Sequence, residues 1–175
     1  SENTKCQLVD SSKDRLVSMS RDLLPHKSGK ITFETAFTME NKAETGYSYT
    51  LFGEEKTIFK FMTEGDKIAV LQADGKTKQV STYMPNTIVR IKAIVDLDTK
   101  TYELIVDGKN VGKFGFVEAA NQVDRIFVST SDKETMIVWI RYVYLYFNYV
   151  VNENFMTTPE GEIPYDWERV GGGST

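Results

Sequence analysis

The stretch from Thr87 to Val111, TIVRIKAIVDLDTKTYELIVDGKNV, decides the fold class of this chain. In both of its halves apolar residues alternate with polar or charged ones: Val89, Ile91, Ala93 and Val95, then Tyr102, Leu104 and Val106. Period-two alternation over two runs joined by a short polar connection is typical of an antiparallel hairpin with one buried face. Asp107-Gly108 favours a second tight turn, because glycine adopts positive φ without a steric cost. The stretch therefore predicts three consecutive antiparallel strands.

Short runs of the same kind fill most of the remaining chain, and Gly and Asp residues separate many of them. They cover Cys6 to Val9, Leu16 to Met19, Ile31 to Met39, Tyr47 to Phe52, Lys56 to Thr63, Lys67 to Gln72, Lys78 to Ser81, Val111 to Phe116, Asp124 to Ser129 and Met136 to Tyr149. Leu23-Leu24-Pro25 is expected to be a loop, and Val117 to Val123 to allow a helical turn. Regular short strands with such turn signals predict an all-β fold, a two-sheet antiparallel β-sandwich.

Composition limits the classes of partner. The chain has 175 residues, which fits one domain able to bury a core, and its net charge of −4 disfavours nucleic acid as a ligand. The longest apolar runs fall short of the roughly 18 residues that a membrane span needs. The single cysteine, Cys6, cannot form an internal disulfide and is expected to be a core thiol, because it lies in an apolar strand. The absence of an initiating methionine at Ser1 suggests a piece of a longer polypeptide.

Several phrases of the chain resemble the concanavalin A-like lectin/glucanase superfamily. They are Gly29 to Glu34, Val95 to Tyr102 with Val106 to Lys109, Asp124-Arg125-Ile126 and the strand from Trp139 to Tyr146. More narrowly, they resemble the laminin-G-like jelly rolls appended to bacterial polysaccharide lyases and glycosidases. The resemblance implies two stacked antiparallel sheets, one of them often concave and used for sugars. It also implies a secreted or cell-surface protein in which an adjacent catalytic domain belongs to the same polypeptide.

The tail carries a second resemblance. The phrase Asn152 to Phe155, followed by Gly161, Pro164 and Trp167, resembles the opening of such a jelly roll. We therefore divide the chain into a body, residues 1–151, and a tail, residues 152–175. The tail either begins a tandem copy or folds back onto the body. We expect docking, because burial of Phe155 and Trp167 would contribute about 2 to 3 kcal/mol each.

Signals for catalysis are weak. The sole histidine, His26, has no second histidine or nearby cysteine with which to bind zinc, and we expect it to be a plain surface residue. Glycosidases of the superfamily carry paired carboxylates in an E-x-D-x-x-E phrase, which does not occur in this sequence. The parts of an alginate-lyase site other than the tyrosine strand are also missing. We therefore expect a module without catalytic residues, and a glycoside hydrolase or polysaccharide lyase domain is the less favoured alternative.

No cofactor is expected, although calcium stays open. The strand position where the resemblance implies a calcium ligand holds Arg141, and a cation cannot serve that role. Asp10, Asp96 and Asp98 offer oxygen atoms, but turn carboxylates usually cap local amides instead.

A sugar site would need aromatic surfaces and polar groups for the hydroxyls. If Trp139, Val143, Leu145 and Phe147 point into the core, Tyr142, Tyr144 and Tyr146 form a ladder on the opposite face, with Arg90 and Lys92 adding positive charge for an acidic glycan. Alternatively, these tyrosines cover the tail or another domain. The sequence thus predicts a non-catalytic module that binds polysaccharide weakly or packs against a catalytic domain. A protein-recognition or adhesion module has the same fold and stays an alternative.

Overall fold

A computed structural model describes residues 5–147, 151–153, 163 and 167–169, with side chains described for all but 151–153 and 169. All regular secondary structure among the described residues is β-strand: β1 Cys6–Asp10, β2 Ser18–His26, β3 Lys30–Met39, β4 Ser48–Gly53, β5 Lys56–Glu64, β6 Lys67–Leu71, β7 Thr77–Thr82, β8 Val89–Asp96, β9 Thr101–Val106, β10 Lys109–Gly115, β11 Val123–Ser129, β12 Met136–Tyr146, β13 Val151–Glu153 and β14 Glu168–Arg169. The region from Val117 to Gln122, where we expected a helical turn, is irregular.

The strands build two antiparallel sheets. Sheet A has the order β1-β12-β3-β8-β9-β10, with β13 also pairing with β12, and sheet B has the order β14-β2-β11-β4-β5-β6-β7. The predicted all-β, two-sheet sandwich is therefore confirmed. The opening stretch forms β8, β9 and β10, and Asp107 and Gly108 take positive φ values of 49° and 80° in the turn between β9 and β10. No helix in the described part of the chain is long and apolar enough to cross a membrane.

Aromatic side chains from both sheets fill the space between them. Phe33 and Phe37 of sheet A meet Tyr49 and Phe61 of sheet B, with ring centroids 5.4 Å apart for Phe33 and Tyr49 and 5.9 Å apart for Phe37 and Phe61. Cys6 lies in this core, as expected for a strand thiol. Aromatic pairs at such separations add about 0.5 to 1.5 kcal/mol beyond the burial of their area. The apolar positions of the alternating strands thus form one continuous core.

The segment Leu23-Leu24-Pro25 differs from its expected loop conformation, because β2 continues through it to His26. The register explains how a strand tolerates this proline: Asp22 pairs with Arg125 and His26 with Val123, so β2 carries extra residues between these two pairs. Pro25 lies in this bulge, where the strand does not need its missing N–H. Sequence rules that treat proline as a strand breaker do not foresee a bulge of this kind.

A second bulge, in β12, changes which side chains face the core. Ile140 pairs with Phe37 and Tyr142 with Ala36, so Arg141 is the extra residue. A single extra residue inverts the alternation on one side of it. Trp139 consequently lies on the outer face and donates its indole N–H to a Glu40 carboxylate oxygen at 2.7 Å. Our expectation that Trp139 points into the core is wrong for this reason.

Two parts of the tail lie on the body. Trp167 is buried in the core, and Glu168–Arg169 pairs with Ser20 and Met19 of β2. Val151–Glu153 pairs with Val143 to Leu145 of β12. Phe155 lies outside the described residues, and the division of the chain into 1–151 and 152–175 stays a prediction.

Candidate functional site on the outer face of sheet A

The three predicted tyrosines share the outer face of sheet A because they lie beyond the bulge at Arg141. Their neighbours Val143 and Leu145 are buried in the core, which turns Tyr142, Tyr144 and Tyr146 to the other side of the strand. Tyr142 and Tyr144 stack with ring centroids 4.5 Å apart and ring planes 12° apart. Tyr146 is tilted by 59° to Tyr144 at 5.9 Å, and 38% of its surface is exposed. We call these three side chains the tyrosine face.

The register of sheet A brings the predicted cations to the tyrosine face. Tyr142 pairs with Ala36, which pairs with Arg90, and Tyr144 pairs with Glu34, which pairs with Lys92. The Lys92 ammonium lies 2.8 Å from a carboxylate oxygen of Glu34. The structure thus brings all five predicted site residues together. It adds Glu34, which neutralises the charge of Lys92, whereas Arg90 has no ion pair among the described side chains.

The stacked pair limits how a sugar can approach. Tyr142 and Tyr144 each use one ring face for the other, and a ring separation of 4.5 Å leaves no room for a pyranose between them. The surfaces left for a ligand are the outer ring edges, the phenol hydroxyls and the tilted ring of Tyr146. Such a face can contact the C–H side of one sugar at Tyr146 and hydrogen-bond sugar hydroxyls along the rim.

The electrostatics of this face keep the phenols protonated. Partial burial raises the pKa of Tyr142 above its ordinary value, the negative charge of Glu34 adds to this, and Arg90 opposes it. Partial burial and Glu34 also raise the pKa of Tyr146. Both hydroxyls therefore remain hydrogen-bond donors at neutral pH, as sugar oxygen atoms require.

The carboxylates considered for calcium are bonded to the protein. Asp10 is buried and accepts hydrogen bonds from the Thr130 hydroxyl at 2.6 Å and from the Ser12 amide at 3.1 Å. Asp96 accepts from the amides of Asp98 and Thr99, and the Thr99 amide is the main cause of its lowered pKa. Within the described ranges, no group of three or more His, Cys, Asp or Glu side chains is arranged to hold a metal ion.

Asp98 accepts a further hydrogen bond from the Gly29 amide at 3.1 Å. Its carboxylate thus caps a backbone amide in the loop between β2 and β3.

His26 and Phe147 lie at one end of the sandwich, with ring centroids 4.0 Å apart. Phe147 is 45% exposed, which overturns the expectation that it points into the core. It follows the last residue of β12, where the inward and outward alternation of the strand no longer applies. The two rings line a small cleft of about 110 Å³ together with Leu23, Leu24 and Pro25.

Sequence reasoning missed a polar surface on the outer face of sheet B. A cavity of about 260 Å³ lies over β4, β5 and the end of β11, and we call it the Lys60 groove. Its lining residues are Leu16, Thr45, Gly46, Ser48, Lys60, Met62, Thr63, Glu64, Ser129, Thr130, Ser131 and Asp132. The outward polar positions of β4 and β5 were readable from their alternation. The pairing with Ser129 of β11 was not, because it joins segments far apart in the chain.

Comparisons with known proteins identify the fold. No protein-family model matches the sequence, and no curated protein matches it. Among solved structures, a sialidase superposes with a TM-score of 0.71 at 12% identity, over 80% of this chain and 15% of that one. The chain shares the jelly-roll β-sandwich fold of this structure. This sandwich also superposes on a tetrameric galectin from the ball sponge Cinachyrella sp., with a TM-score of 0.57 at 12% identity over 74% of this chain and 99% of the galectin.

An alginate lyase from Corynebacterium sp. is a further match to this β-sandwich. Its TM-score is 0.53 at 13% identity, over 78% of this chain and 62% of the lyase. This chain therefore spans a small part of the sialidase and less than two thirds of the lyase. At such identities the likeness concerns the fold, and the site must be argued from the residues of this chain.

Proposed function

We propose that this chain is a non-catalytic carbohydrate-associated module of a larger extracellular polysaccharide-degrading enzyme. Its role would be to bind glycan weakly or to pack against the catalytic domain of the same polypeptide. The observation that carries the proposal is the tyrosine face, where three tyrosines lie beside Arg90 and the Glu34–Lys92 pair. Aromatic edges, phenol donors and charged groups on one sheet face are the chemistry that a sugar needs.

The fold neighbours support the same proposal. They include a sialidase, galectins and alginate lyases, proteins whose names refer to carbohydrates. The small share of the sialidase that this chain covers suits a module appended to a larger enzyme. A secreted or cell-surface location is part of this proposal, because the parent enzyme would act on polysaccharide outside the cell.

Affinity electrophoresis of the folded 175-residue chain through gels that contain single polysaccharides tests glycan binding. We expect retarded migration in at least one gel, and loss of the retardation in Tyr146→Ala, whose exposed ring is the part of the tyrosine face best placed for contact. Lys13→Ala, on a loop outside both sheets, is the control. Normal migration in every gel, with circular dichroism showing an intact β fold, would contradict glycan binding by this module.

A protein-recognition or adhesion module is the second candidate. The observation that favours it is the cleft at the end of the sandwich, where Leu24 is 73% exposed and Phe147 is 45% exposed. Exposed apolar side chains next to a cleft are common in protein interfaces. Retention of a protein partner that Leu24→Ser abolishes, without glycan binding, would favour this candidate.

The catalytic alternative differs from both candidates because it predicts a reaction product. A glycoside hydrolase or polysaccharide lyase domain would release reducing sugar or unsaturated product from a polysaccharide. We expect the isolated chain to release neither, at any pH between 5 and 9. Product formation proportional to protein concentration would instead establish an enzyme.

A further inference from the structure

The Lys60 groove has features that the proposed function does not use. We propose that it is a second binding site, separate from the tyrosine face, for a sugar unit that carries an anionic substituent, and that the Lys60 ammonium contacts this substituent. The inference rests on the proposed function, because it assumes that the module meets carbohydrate. It adds the chemical class of the ligand and the sheet that binds it.

Lys60 combines partial burial with the lack of a counter-charge among the described side chains. Lys92 pairs with Glu34 at 2.8 Å, and Lys42 pairs with Asp66 at 3.4 Å. No carboxylate among the described side chains lies within ion-pair distance of the Lys60 ammonium. Lys60 is nevertheless half-buried, and burial lowers its pKa. Burial removes part of the water around an ammonium. When no protein anion replaces that water, an anion on a ligand stabilises the charged ammonium.

The acids that line the groove lie at its other end. Glu64 is on β5, as Lys60 is, and strand geometry separates the two by about 13 Å. Asp132 follows the end of β11 on the same side as Glu64. These carboxylates do not neutralise Lys60, and they can accept hydrogen bonds from hydroxyls of a ligand that reaches along the groove.

Between the two ends, the groove is lined by hydroxyls. Ser48 and Ser129 are both largely buried, and their oxygen atoms lie 3.1 Å apart. The hydroxyls of Thr45 and Ser131 lie 2.8 Å apart. Each hydroxyl can donate or accept, so such pairs can exchange hydrogen bonds with the hydroxyls of a sugar. Met62, in register with Ser48, supplies an apolar surface within the groove.

Aromatic side chains of sheet B lie near Lys60 in the strand register. Lys60 pairs with Thr50, which pairs with Phe127, and the rings of Phe127 and Phe52 lie 6.2 Å apart. The Arg125 guanidinium lies over Phe52 and pairs with Glu55 at 3.0 Å, so its charge is already matched. Lys60, in contrast, has no carboxylate partner among the described side chains and can receive an anion. The whole groove, with a volume of about 260 Å³, has room for about one sugar ring.

Titration of the isotope-labelled 175-residue chain, followed by NMR, tests this assignment. Three probes separate the ligand chemistries: methyl glucuronide carries a carboxylate, glucose 6-sulfate carries a sulfate ester, and methyl glucoside carries no charge. We expect at least one anionic probe to bind about tenfold more tightly than methyl glucoside and to shift the amides of β4 and β5. A preference for the carboxylate or for the sulfate identifies the source of the anion.

Variants then locate the charge that matters. Lys60→Gln is expected to reduce the affinity for the anionic probe about tenfold and to leave that for methyl glucoside unchanged, whereas Lys60→Arg retains binding. Lys113→Gln, an exposed lysine on β10 of the opposite sheet and outside the tyrosine face, is the matched control and should have no effect. Equal affinity for anionic and neutral probes, or an unchanged affinity in Lys60→Gln, overturns the inference. If a neutral polysaccharide still binds in that case, the proposed function stands and only the role of Lys60 is lost.

Discussion

The Lys92 ammonium lies 2.8 Å from a carboxylate oxygen of Glu34 on the neighbouring strand. This pair changes the charge expected for the tyrosine face. Arg90 and Lys92 alone would make the face dicationic, whereas Glu34 reduces it to a single net positive charge. A face with one balanced ion pair suits a weakly charged or neutral glycan better than a polyanion.

Removal of Glu34 separates the effect of this pair on stability from its effect on binding. Exposed ion pairs contribute about 0 to 1 kcal/mol, so Glu34→Gln should change the free energy of unfolding by less than about 1 kcal/mol. The same change frees Lys92 and should increase the affinity of the face for an acidic polysaccharide, measured by affinity electrophoresis at low salt. The increase should disappear in the double variant with Lys92→Gln. An unchanged affinity would show that the face does not contact the glycan's charge.

The buried tyrosines predict a loss of stability at alkaline pH. Burial raises the pKa of Tyr49 and Tyr102 well above the ordinary value of 10. Their neutral form is favoured in the folded state, so their contribution is complete below pH 10 and is lost as the pH rises above it. Each tyrosine should remove about 1.4 kcal/mol per pH unit in that range. Urea unfolding between pH 8.5 and 11 should show the wild type losing stability faster than Tyr102→Phe.

At neutral pH the same two tyrosines predict substitutions of opposite sign. The Tyr102 hydroxyl is buried with no hydrogen-bond partner among the described residues, so Tyr102→Phe should raise the free energy of unfolding by about 1 kcal/mol. The Tyr49 hydroxyl accepts a hydrogen bond from Thr35 at 3.1 Å, so Tyr49→Phe should lower it by about 1 kcal/mol. Equal effects of the two changes in urea unfolding would count against these assignments.

Asp10, at the end of β1, is hydrogen-bonded to Thr130, which directly follows β11. Its carboxylate accepts the Thr130 hydroxyl at 2.6 Å, and the Thr130 oxygen accepts the Val17 amide at 2.8 Å. Because Asp10→Ala leaves the buried Thr130 hydroxyl without its 2.6 Å acceptor, it should cost about 2 to 3 kcal/mol in chemical denaturation. Asp14→Ala, an exposed carboxylate on the following loop, is the control and should cost less than about 0.5 kcal/mol. A small cost for Asp10→Ala would show that water replaces the carboxylate.

Gly53 lies at a close approach of two backbone segments. A Cβ atom at this position would lie 1.7 Å from the carbonyl oxygen of Gln122, and backbone cannot move aside as a flexible side chain can. Gly53→Ala should therefore cost at least about 3 kcal/mol in thermal or urea unfolding. Gly115→Ala is the matched control, because nothing lies within 4 Å of a Cβ there. Equal stability of the two variants would mean that β4 and the loop before β11 lie farther apart.

The parts of the fold that could be predicted from sequence are those fixed by local alternation. The runs around Ile91 and Leu104 form strands, because an apolar residue at every second position buries only in an extended chain. The predicted inward orientation of Trp139 was wrong because the bulge at Arg141 has no local sequence signature. Glu34 pairs with Lys92, and Ser48 pairs with Ser129. Both pairs depend on the register between strands that are distant in sequence, and alternation does not specify that register.

NMR titration of the labelled chain with a polysaccharide that retards it in gels tests most directly whether an outer sheet face binds carbohydrate. If the tyrosine face binds the polysaccharide, we expect shifted amides in β12, β3 and β8 around this face, with smaller shifts in the loops. Shifts confined to the loops, or no shifts with any polysaccharide while the spectrum remains that of a folded protein, would contradict it.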